Sequence, residues 1–126
     1  MIANAFTKAN EMPIAALVGA LALDNFAGTV VVIANSPDGQ IPHYLDGRFG
    51  RSYGGRGWPV GGLPLSVRLV VVGPDLERTC CDWLTNPDGV TRKRDWSAAL
   101  EFLMDHHGKG TKVAVIPDAT MQYYRD

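Results

Sequence analysis

The sequence predicts a small α/β domain, an open and mostly parallel, Rossmann-like sheet flanked by helices. Three observations carry that expectation. Thr29 to Ala34 and Ser66 to Val72 are near-continuous aliphatic runs, the pattern of parallel strands covered on both faces. Helical stretches alternate with the strand-like runs, as right-handed crossovers between parallel strands require. The chain has 126 residues, enough for one domain with its own core and too few for two.

The elements follow in order. Met1 to Asn4 reads as the end of a buried strand. Met12 to Leu23 reads as a helix, with Glu11 and Pro13 suited to its first turn. Gly28 closes the turn into the Thr29 to Ala34 strand. Asn35 to Gly39 is a loop, and Gln40 to Leu45 has the pattern of a short helix. Arg48 to Pro64 is glycine-rich and irregular. After the Ser66 to Val72 strand, Asp75 to Leu84 reads as a helix and Asn86 to Gly89 as a turn. Asp95 to His107 is amphipathic, with Trp96, Leu100, Leu103 and Met104 on one stripe and Gly108 placed to end it. Lys112 to Ile116 is the last strand. The first helix has almost no polar face. Either its alanines sit at exposed positions, or part of its cover comes from another domain or subunit.

Composition narrows the function classes. A net charge of −1 excludes bulk electrostatic binding of polyanions, so no nucleic-acid partner is expected. The most apolar stretch, Met12 to Leu23, is too short to span a bilayer, so no membrane partner is expected either. The only cysteines are the adjacent Cys80 and Cys81, which offer no disulfide framework or zinc spacing. A reducing, cytoplasmic setting is therefore expected. A strand beginning at the first residue suggests that the domain is truncated at its start or that Met1 is an internal start.

Open parallel sheets bind ligands beyond the carboxyl ends of their strands. Asn4, Lys8 and Asn35 lie at such ends and are candidate substrate-binding residues. His43 follows the Asn35 to Gly39 loop and is either an acid/base or substrate-binding group near the site or a structural histidine. Arg48 leads the glycine-rich loop that also carries Arg51 and Arg56. Its planar guanidinium suits a carboxylate, although a plain long loop or a weak Arg-Gly nucleic-acid segment would carry the same residues. His106 and His107 point to different sides of a helix and make a poor metal pair. Gly108 to Lys112 lacks the order of a phosphate-binding loop. No catalytic triad and no metal site can be assembled.

Several segments in order resemble one family. They are Ile2-Ala-Asn-Ala-Phe-Thr-Lys-Ala-Asn-Glu11, Gly28-Thr-Val-Val-Val-Ile-Ala-Asn-Ser-Pro-Asp-Gly-Gln40, His43-Tyr-Leu-Asp-Gly-Arg-Phe-Gly50 and Lys112-Val-Ala-Val-Ile-Pro-Asp118. Together they resemble the C-terminal domain of the lactate racemase (LarA)-like family, over nearly the whole chain. The resemblance implies two-domain enzymes that racemise or epimerise 2-hydroxy acids in the cleft between their domains, with a nickel-pincer nucleotide. It implies that the cofactor lysine, the metal-binding histidine and the acid/base histidines lie mainly in an N-terminal domain. This chain has no counterpart of that domain. No catalytic residue and no cofactor is therefore assigned to this chain alone, and the missing domain is the expected partner. The family's Gln-x-x-Lys substrate contact on the first helix is replaced by Ile14 and Leu17, which implies a divergent subgroup. The alternative is a non-enzymatic module on the same fold that binds a small anion or another protein.

Overall fold

A computed structural model describes residues 1–6, 11–35, 62–74, 84 and 89–121. The expected short helix from Gln40, the glycine-rich loop and most of the expected Asp75 to Leu84 helix lie outside the described residues. Among the described residues five parallel strands form one sheet: β1 (Ile2–Asn4), β2 (Gly28–Ile33), β3 (Val67–Val72), β4 (Val90–Lys93) and β5 (Val115–Ile116). Their spatial order is β4-β3-β2-β1-β5. Two α-helices lie among the described residues, α1 (Met12–Leu21) and α2 (Trp96–His106).

The two aliphatic runs become the centre of the sheet. β2 and β3 pair along their full length, from Gly28 with Val67 to Ile33 with Val72. Side chains alternate between the two faces. Val30, Val32, Leu69 and Val71 point to the α1 side and join the larger core. Val31, Val70 and Val72 point to the other side and meet Ala99, Phe102 and Leu103 of α2.

The helix α1 starts at Met12 with Pro13 in its first turn, where the missing N–H costs nothing. It ends two residues before the expected boundary, because Leu23 is already extended ahead of a tight 3-10 turn over Asp24–Phe26. Its alanines do not occupy the exposed side. Ala15, Ala16, Gly19 and Ala20 are buried against the sheet, while Ile14, Leu17 and Val18 are half-buried and Leu21 is exposed. Small residues on the inner face let the helix axis approach β1 and β2 closely. Gly19 sets the limit, since a Cβ there would lie 2.6 Å from Val30 Cγ1.

The helix α2 begins at Asp95, whose side chain accepts a hydrogen bond from the Ala98 N–H at 2.8 Å. Its inner face is Ala99, Phe102 and Leu103 rather than the whole predicted apolar stripe. Trp96, Leu100 and Met104 remain 41%, 44% and 70% exposed. The strand β4 is short and polar and lacks the aliphatic signal of its neighbours. The last strand pairs with β1 only through Val115 and Ile116, three residues later than expected. Among the described residues no helix is long and apolar enough to cross a membrane.

The contact at Gly19 yields a test. Gly19→Ala gains helix propensity worth about 1 kcal/mol. It also forces a methyl into Val30, a stiff β-branched residue with no exposed surface. Overpacking of this kind costs about 1–3 kcal/mol, so the substitution is expected to lower stability in urea unfolding despite the propensity gain.

Candidate functional site

Chain order and spatial order diverge at one place. From β1 the sheet grows through β2 and β3 to β4, and the chain then returns to the far side of β1 for β5. The carboxyl ends of β1 and β5 therefore flank the crevice where open parallel sheets bind ligands.

Backbone hydrogen bonds fix the ends of the strands at this crevice. The Ala5 N–H donates to the Ile33 carbonyl at 2.9 Å, and the Ala119 N–H donates to the Asn4 carbonyl at 2.7 Å. Ala119 is buried and anchors the segment after β5. The preceding Asp118 is half-buried. Its Oδ1 accepts from the Thr120 N–H at 3.3 Å and from Thr120 Oγ1 at 3.0 Å. The arrangement holds a carboxylate and a hydroxyl beside Asn4.

Of the five residues expected at the site, two are described. Asn4 closes β1 and is half-buried; by alternation with Ala3 and Ala5 it points to the α2 side. Asn35 follows β2 and is exposed. The sheet brings these two strand ends together, because Asn4 pairs in register with Ile33. Lys8, His43 and Arg48 lie outside the described residues. Phe6, just past β1, is 78% exposed. Asp118 and Thr120 were legible in the sequence only as the residues following the last strand. Among the described residues no group of three or more His, Cys, Asp or Glu side chains could hold a metal ion.

A second concavity lies on the α2 face, toward the amino ends of the strands. It is a hollow of about 520 Å³ between the outer stripe of α2, Leu23 and Val113, with Ile2 and Val31 beneath it. One polar pair stands at its edge. Thr29 is the single buried polar residue among those described, and its Oγ1 lies 2.9 Å from His107 Nε2. The Met1 amine donates to the Thr29 carbonyl at 2.8 Å, and its burial holds it below its ordinary pKa. The adjacent histidines thus have separate tasks. His106 Nδ1 donates to the Phe102 carbonyl at 2.7 Å, and its ring lies 4.0 Å from the Phe102 ring. Nothing in the sequence signals the Thr29–His107 pair, whose members stand 78 residues apart.

Comparison with models of known protein families, with curated proteins and with solved structures finds no match.

Thr29→Val keeps the shape of the strand residue and removes the hydroxyl. The half-buried His107 ring then loses its partner, at an expected cost of about 0.5–1.5 kcal/mol. Urea unfolding measures the cost. The ring resonances of His107 report the lost bond by NMR, and an unchanged spectrum would contradict it.

Proposed function

We propose that this chain is the substrate-side domain of a lactate racemase-like racemase or epimerase acting on 2-hydroxy acids, and that it forms an active site only with a second domain. The observation that carries the reading is the reversal of strand order between β1 and β5, with Asn4 and Asn35 at adjacent strand ends. The order and spacing of the segments that resemble that family also support it. The Asn4 and Asn35 amides would orient the hydroxyl and carboxylate of a small acid. Arg48 or Lys8 would hold the carboxylate, the guanidinium through two parallel N–H bonds.

When bound, a nickel-pincer nucleotide supplies a hydride acceptor. The described residues offer no donor set for its metal. In this reading the second domain carries the nucleotide and the proton-transfer groups, and this chain binds and orients the acid.

A second reading is a non-enzymatic module that binds a small anion or another protein; the apolar hollow on the α2 face favours its protein-binding form.

Titration of the isotope-labelled chain with lactate tests the first reading. Amide shifts are expected at Asn4, Asn35 and Thr120, with millimolar affinity weakened about tenfold in Arg48→Ala or Lys8→Ala, the loss of one charged hydrogen bond. No racemisation is expected from the chain alone, with or without added nickel-pincer nucleotide. Turnover by the isolated chain, or shifts confined to the amino ends of the strands, would overturn the assignment.

A further inference from the structure

Parallel sheets require cover on both faces. Strands about 4.8 Å apart make a five-stranded sheet about 19 Å wide between its outer strands, whereas one helix is about 10 Å across. On the α2 face, α2 is the only helix among the described residues, and its principal strand contacts are with β3 and β4. The rest of that face ends in half-buried Ile2 on β1 and its register partner Val115 on β5, which is 61% exposed. Beside this strip runs the uncovered stripe of α2. The hollow of about 520 Å³ lies beside Ile2, between the stripe and the segment that leads into β5.

We propose that a second copy of this chain covers the face, with each α2 filling the other's hollow. The same molecule carries both complementary parts, an exposed apolar helix stripe and a bare apolar strip of sheet, so one two-fold operation satisfies both. An axis along the strands places each α2 between its own β3–β4 and the partner's β1–β5. Charge favours this arrangement over an unrelated partner. At 100° per residue, Asp105 lies on the flank of α2 away from its own hollow. Lys112 lines the hollow's far rim. The two-fold sets Asp105, in the last turn of α2, beside the partner's Lys112, which precedes β5.

Sedimentation equilibrium of the 126-residue chain is expected to give twice the 13.6 kDa chain mass at micromolar concentration. Leu100→Glu and Met104→Lys alter residues that are exposed in the single chain. Each is expected to keep its far-UV spectrum and weaken the dimer at least about tenfold, as loss of a central anchor does. Asp105→Lys weakens it less, and Asp105→Lys combined with Lys112→Glu recovers it. A wild-type monomer at about 100 μM, a dimer indifferent to Leu100→Glu, or a charge-reversed pair without recovery overturns the proposal. The readout is mass, so its failure is separate from any failure of hydroxy-acid binding at the carboxyl ends.

Discussion

The handedness of the crossovers governs this domain. A chain that steps across a parallel sheet in one direction, turning right-handed each time, keeps its connections on one face. The steps from β1 through β2 and β3 to β4 all run one way, and α1 lies on that face with Leu84, from the β3–β4 connection, in the same core. The return from β4 to β5 runs the other way, so α2 takes the opposite face. The same reversal opens the crevice between β1 and β5. One topological fact therefore fixes the place of the candidate site and sends α2 to the face opposite α1.

The two faces are covered by different means. On the α1 side the helix presents Ala15, Ala16, Gly19 and Ala20, and comes close enough for aliphatic strand residues to fill the space. On the α2 side the inner contacts are Ala99, Phe102 and Leu103, with Lys93 Nζ above the Phe102 ring at 5.2 Å. The larger side chains of α2 are spent sideways, along the hollow. The near-absence of a polar face on α1 and the stripe on α2 thus have different meanings. For the first, close packing explains the small inner residues, while Leu21 stays 70% exposed. The second is not satisfied by any described residue.

The sheet centre was legible because its strands are largely buried on both faces, so Thr29 to Ala34 and Ser66 to Val72 read as near-continuous aliphatic runs. The edge strand β4 was not. Val90–Lys93 has one buried residue and three half-buried ones, and its pairing with β3 comes from tertiary context. Periodicity placed α2 and its Asp95 start correctly, but a wheel of apolar residues does not say which part meets the sheet. The Gly19–Val30 approach depends on a neighbour in another element and leaves no local pattern. At the candidate site, strand ends located Asn4, Asn35 and Asp118, while the hydrogen bonds of Asp118 with Thr120 and the place of that turn next to β1 emerged only from the sheet order.

The two borders of the sheet add a consequence for how such molecules meet. An unpaired strand border is a template for addition of a further strand. One border here ends in Arg92 and Lys93, whose charges discourage stacking of like borders. The other offers only the two residues of β5, too few to register a stable ladder. Lateral growth into a continuous multi-chain ribbon is therefore disfavoured at both borders. A crowded solution of these domains is directed toward closed, countable assemblies rather than fibres.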